Sequence, residues 1–267
     1  MAIDVDTLDP ATARALLDWQ LEMGVDCALG PGPIDRFALP DRMPRGGTSQ
    51  QAPVPASDAV DPATEAVRLA AAPADLAALH DAVAAYPHCD LRRGAPAPLL
   101  GDGPARARVM LLRGAPDRDA VRAGRAWGGT QGALLDRMLA AIGLCRDSDA
   151  GARGVRSALL VPWNPPGDRD PTPAEVAMMR PFLDRQIALV DPEVLIPTDR
   201  LTCDVLLGDR DVRSLRGAWA EAADRAVLPM LPPSYLLRHA DAKRLAWRDL
   251  LELDARLRPH TPIGASS

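Results

Sequence analysis

Arg108-Val-Met-Leu-Leu112 is the stretch on which the fold turns. Its four consecutive apolar residues read as a buried strand, and Gly132 to Ile142 downstream carries Leu134, Leu135, Met138 and Leu139 on one helical face. The same alternation then repeats. Ser157-Ala-Leu-Leu-Val161 is a second strand, and Thr172 to Leu189 is a long helix in which Glu175 follows Thr172 by three residues, the spacing of a capping box. Val194-Leu-Ile-Pro197 is a third strand, Leu201 to Leu207 a helix, and Ala226-Val-Leu-Pro229 a fourth strand. Strands alternating with helices predict an α/β protein with a mainly parallel four-stranded sheet between helices. Ligands of such sheets bind beyond the carboxyl ends of the strands. Chemistry is therefore expected just after Leu112, Val161, Pro197 and Pro229.

Upstream of this core, residues 1–30 form an extension whose helix runs from Asp9 to about Gly24, with Leu16, Leu17, Trp19 and Leu21 on its apolar side. Residues 31–75 are rich in Pro, Gly and Ala and read as a linker holding a short helix from Pro62 to Ala70. A further helix covers Ala74 to Ala85. The main domain is placed at 76–257 and a tail at 258–267.

Of the 267 residues, 47% are hydrophobic and 25% charged, which describes a globular protein with a sizeable core. Aromatics make up only 3%, so that core is built from Ala, Leu and Val. The net charge of −5 does not favour nucleic acid over the whole surface, so any such binding needs a local basic patch. Lys243 is the only lysine. No apolar run approaches the roughly 20 residues that span a bilayer, and no signal-peptide pattern opens the sequence. A cytoplasmic monomer without membrane contact is expected. Cys27, Cys89, Cys145 and Cys203 form no C-x-x-C pair, so neither a disulfide framework nor a zinc knuckle is indicated.

Pro233-Ser-Tyr-Leu-Leu-Arg238, followed by Lys243-Arg-Leu-Ala-Trp-Arg-Asp-Leu250, reads as a tight loop presenting two leucines before an amphipathic helix. Paired apolar residues between cations suit a wedge that enters a base stack while gripping phosphates. An ordinary buried turn has the same composition.

The order of motifs from about residue 76 to 257 resembles the uracil-DNA glycosylases, most closely the family-four, iron–sulfur type. The matching segments include Gly101-Asp-Gly103, Ala115-Pro116, Gly124 to Gly129, Gly132 to Leu144, Pro165 to Pro173, Arg180 to Ile187, Leu206-Leu-Gly208, Leu215 to Trp219 and Pro233 to Arg238. The resemblance implies base flipping and cleavage of a glycosidic bond through an oxocarbenium-like state. It assigns Ala115, Pro116 and Trp127 to base binding. It assigns Pro165, Pro166, Arg216, Ser234, Leu236, Leu237, Arg238 and Lys243 to DNA binding, with Leu236 and Leu237 as the wedge and Arg244 nearby.

The chemistry, however, is altered at the positions that carry it. The first motif of the family, Gly-Glu-Ala-Pro-Gly, is here Arg113-Gly-Ala-Pro-Asp117, so its acid is Gly114. Asp117 or Asp119 is the remaining candidate for positioning water. The Asn that reads the base edge corresponds to Leu159, and the His that donates to the departing anion corresponds to Pro232. Neither replacement offers a side-chain donor. The cluster ligands correspond to Tyr86, Cys89, Trp163 and Met179, leaving Cys89 as the lone thiolate candidate, so no iron–sulfur cluster and no other metal is expected. The sequence therefore reads as a catalytically degenerate member of the superfamily that binds DNA or a protein partner through the former excision cleft. A rewired, active glycosylase and a scaffold without a nucleic-acid role are the alternatives.

Overall fold

The computed structural model describes residues 9–23, 61–93, 95, 97–147, 151–208 and 212–258. Residues 31–60 of the expected linker and 259–267 of the tail lie outside them. The chain divides into two units, Met1–Ser57 and Asp58–Ser267. In the first, helix α1 covers Pro10–Glu22. Asp9 caps it: Oδ1 accepts from the amides of Ala11 and Thr12, each at 3.0 Å.

The second unit is built on one sheet of order β2-β1-β3-β5-β4. Strands β1 (Val109–Arg113), β2 (Val155–Leu159), β3 (Val194–Pro197) and β5 (Arg225–Val227) run parallel, while β4 (Ala220–Ala222) joins β5 antiparallel. The register sets Leu112 beside Ala158 on one side and Pro197 on the other.

Alternation along the strands divides the core in two. Met110, Leu112, Ala158, Leu195 and Val227 join the cluster that holds Tyr86, Trp163, Phe182 and Leu183. Val109, Leu111, Leu159, Val194 and Ile196 join Trp127, Leu135, Leu250 and Leu253. Each leucine or valine so removed from water stabilises the fold by about 1.5–3 kcal/mol.

Helices α2 (Pro62–Ala71), α3 (Leu76–Ala85) and α6 (Pro173–Val190) supply the first layer, and α5 (Gly129–Ala140) and α10 (Lys243–Leu257) the second. Helix α2, expected in the linker, is part of this unit. Ala66 and Ala70 are buried, and the Tyr86 hydroxyl donates to the Pro62 carbonyl at 2.6 Å.

The sheet has five strands where four were expected. Strand β4 is three residues long, too short to show a period, and its hairpin turns on Ala223 and Asp224, both with positive φ. Alanine there is not a turn signal. Strand β2 begins two residues before the expected start, and α5 begins at Gly129. Pro233–Arg238 is not a tight loop but a short helix, α9. Its first turn is closed by the Tyr235 and Leu236 amides on the Pro232 carbonyl. Shorter helices α4 (Arg118–Ala123), α7 (Arg200–Leu207) and α8 (Val212–Leu215) complete the unit.

The Thr172–Glu175 capping box of α6 forms as expected. Glu175 also accepts from Arg169 at 2.7 and 2.9 Å. The Arg169 bonds hold its carboxyl below the ordinary value of 4.5, against the opposing effect of burial and with the help of Thr172. A depressed folded value gives stability that is present above the ordinary value and is lost as pH falls through the folded one. Glu175→Gln is expected to lower the unfolding free energy by about 1 kcal/mol at neutral pH. The difference from wild type should shrink as pH falls below 4.5, as denaturant midpoints across pH will show. A constant difference would contradict this assignment.

Candidate functional site

The carboxyl ends of β1 and β3, the segment from Asn164 to Pro171 and the start of α9 line a cavity of about 470 Å³, which is where a ligand of a parallel sheet is expected. Ala115, Pro116, Asp117, Trp127, Pro165 and Ser234 of the sequence assignments line it. So do Gln131, Asn164, Thr198, Asp199 and Pro232.

Asp117 is engaged rather than free. Its Oδ1 accepts from the Ala120 amide at 2.8 Å and caps α4, while its Oδ2 accepts from Arg113 at 2.7 Å and Gln131 at 2.9 Å. Burial works to raise the Asp117 carboxyl, but Arg113, the Ala120 amide and Gln131 outweigh it and hold the group below its ordinary value. Asp119 is half exposed, pairs with Arg122 at 3.2 Å and does not line the cavity.

Trp127 is 2% exposed and belongs to the core. The guanidinium of Arg113, held also by the Ala126 carbonyl at 2.8 Å, lies 5.9 Å from the centre of its ring. The loop that carries the tryptophan is fixed from behind. Asp102 accepts from the Ala126 amide at 2.9 Å, Arg125 at 3.0 Å and Arg146 at 3.3 Å. Arg146 is 3% exposed and reaches Asp136 at 2.8 Å as well. The neighbouring Gly128 has no room for a side chain, since an added Cβ would lie 2.1 Å from the Asp119 carbonyl oxygen.

Asp199, absent from the sequence assignments, stands at the end of β3. Its Oδ2 accepts from the Gly114 amide at 2.7 Å, and its Oδ1 from the Thr202 amide at 2.9 Å and hydroxyl at 3.0 Å. Burial raises its carboxyl above the ordinary value, opposed by the Thr202 and Gly114 amides and by Arg113. A capping box opened by Asp199 directly after an apolar strand was the available signal.

Leu159 is buried in the sheet and lies outside the cavity lining. Pro232 lines the wall as the cap residue of α9. Pro166 lies on a neighbouring groove of about 920 Å³ bordered by Trp163.

The expected wedge is halved. Leu236 is fully buried against Leu134, Leu231 and Ala246, whereas Leu237 is 44% exposed. Arg238 and Lys243 are exposed as well, with the Arg238 Nε donating to the Ser234 carbonyl at 3.2 Å. Arg216 instead grips the buried carboxylate of Asp249 at 2.5 and 3.1 Å and braces its loop.

Tyr86, Cys89, Trp163 and Met179 lie in one core cluster, all nearly inaccessible to water. Burial pushes the Cys89 thiol up. One such thiol among a phenol, an indole and a thioether does not fit a four-thiolate cluster.

Fold and cavity define an α/β protein with a cleft at the strand termini, lined by Trp127 and by charged side chains of both signs. The chain belongs to the uracil DNA glycosylase superfamily, whose sequence model matches residues 100–251. It is similar to a type-4 uracil-DNA glycosylase of Archaeoglobus fulgidus, 32% identical over 118 residues, covering 44% of this chain and 56% of that protein. A Thermotoga maritima protein of the same name is 27% identical over 157 residues, 57% of this chain and 79% of that one. A DNA polymerase of Bacillus phage SP01 is 28% identical over 167 residues. That match spans 62% of this chain but only 18% of the polymerase. The chain thus spans just over half of the Archaeoglobus relative and under a fifth of the phage protein. Among the described residues, no helix is long and apolar enough to cross a membrane.

Proposed function

We propose that this chain binds DNA through the cleft and removes uracil far more slowly than relatives bearing the full motif set. The observation that carries this reading is Pro232. It stands in the cavity wall at the position of the donor to the departing base anion, and proline has neither a side-chain donor nor an N–H. Loss of one such donor slows catalysis by roughly 10²–10³. Leu159 in place of the edge-reading Asn and the pairing of Asp117 with Arg113, which offsets its charge, support the same reading. Leu237, Arg238 and Lys243 remain exposed where a wedge and phosphate contacts are wanted. The donor set around Cys89 supports a fold completed by packing, without a cluster.

The test is retention and excision measured together. Uracil-containing single-stranded and duplex oligonucleotides are incubated with protein in excess, across a salt series. Retention that falls with salt, with uracil release at or near background, is the expected result. Rapid uracil release overturns the catalytic part, and no retention at low salt overturns DNA binding in favour of a protein partner. Iron assay of anaerobically purified protein should find none. About four irons per chain would overturn the cluster-free reading.

A further inference from the structure

We propose that the cleft hydrolyses the N-glycosidic bond of cationic, N-alkylated purines in DNA, with Asp199 holding the attacking water. The proposal rests on the DNA-binding reading above and names a substrate class for the same site.

Leaving-group charge decides the class. Uracil departs as an anion, which needs a donor in the wall, and Pro232 supplies none. A purine alkylated at N3 or N7 already carries a positive charge. When its C1′–N9 bond breaks, the bonding pair returns to the ring and the base leaves neutral. Such a substrate needs no anion donor at all.

The cavity lining suits that charge. Five aspartates and three arginines line it. Each arginine is matched by an ion pair: Arg113 with Asp117, Arg169 with Glu175 and Arg200 with Asp204. Asp199 makes no direct ion pair among the described residues; it accepts from N–H and O–H donors, and Arg113, itself paired with Asp117, acts on it only through space. A positive base and the positive sugar of an oxocarbenium-like transition state are both favoured in such a site.

Asp199 is also built to hold water. A carboxylate offers about four acceptor sites. The Gly114 amide and the amide and hydroxyl of Thr202 use three, so one is left for a water proton. Its place matters too: a Cβ added at Gly114 would lie 3.5 Å from Asp199 Oδ1. The carboxylate that the family carries at position 114 is thus replaced by one approaching the same spot from β3. Burial raises Asp199, which brings it closer to the working range of a general base.

In the step itself, the water oxygen bonds to C1′, the C1′–N9 bond breaks with its pair going to the purine, and the water proton passes to Asp199. The products are an abasic site and a neutral alkylpurine. No other reactant is required.

Oligonucleotides with a single 7-methylguanine, a single uracil or unmodified guanine are followed under single-turnover conditions with full-length protein in excess, and retention is recorded on the same samples. Release of 7-methylguanine at least about tenfold above its spontaneous loss is expected, with guanine and uracil near background. Asp199→Asn, which keeps a capping side chain, should lower that release about 10²-fold while leaving retention in place. Retention without 7-methylguanine release, or uracil released faster than 7-methylguanine, overturns this proposal while the DNA-binding reading stands. Unchanged release in Asp199→Asn removes Asp199 from the step. The wild-type selectivity decides the substrate class even if the variant fails to fold.

Discussion

Asp102→Ala is expected to lower the unfolding free energy by about 3 kcal/mol, the low end of the cost of breaking a buried ion pair from one side, because Asp136 still pairs with Arg146 at 2.8 Å. Its partner Arg146 is 3% exposed and cannot turn to water for relief. The loss reaches the cleft as well, because Asp102 fixes the Ala126 amide at 2.9 Å immediately before Trp127. Denaturant titration should show the large shift, and Trp127 should become more accessible to fluorescence quenchers. Removing the cation too, in Asp102→Ala with Arg146→Met, should recover part of the loss, since Asp136, the carboxylate then left behind, is half exposed and reaches water. A single-variant loss below about 1 kcal/mol would mean that water reaches Arg146 after all.

Pro232→His is expected to raise single-turnover uracil release by up to about 10²-fold. The residue sits at φ −67° and ψ 148°, extended backbone that histidine adopts without strain. Its carbonyl, which accepts from Tyr235 and Leu236, is retained in the variant. The gain should stay short of family activity because Leu159 still cannot read the base edge, and residues that act as a unit do not add. Adding Leu159→Asn gives no simple rescue, because that position is 1% exposed in the sheet and an amide there lacks a partner. No gain from histidine would show that the departing anion does not face this wall.

The layered architecture was legible because β1 and β3 carry unbroken apolar runs, Val109–Leu112 and Val194–Pro197, and burial on both faces leaves no other use for such runs. Strand β4 was not, since three residues of Ala and Glu carry no period. Leu236 and Leu237 show a sharper limit. Two adjacent leucines look alike in sequence, yet the turn of α9 sends one into the core and leaves the other to solvent. The resemblance assigns Arg216 to phosphate contact, and bracing of its loop is the other reading; in the fold its side chain pairs with Asp249, 33 positions away on α10. Only the fold brings the two together. A cavity does lie at the strand termini, and Ala115, Pro116, Asp117 and Trp127 line it. Asp199 escaped because a capping carboxylate after a strand is ordinary, and its approach to Gly114 is a tertiary fact.

Lys243 stands exposed at the first position of α10, one short helix from Leu237, and the sequence holds no other lysine. Besides the α-amino group, an amine-selective dye therefore has one place to attach, close along the chain to the exposed Leu237. A single fluorophore there would report docking of a nucleic acid strand by polarisation or quenching, without engineering a cysteine or changing any residue of the protein.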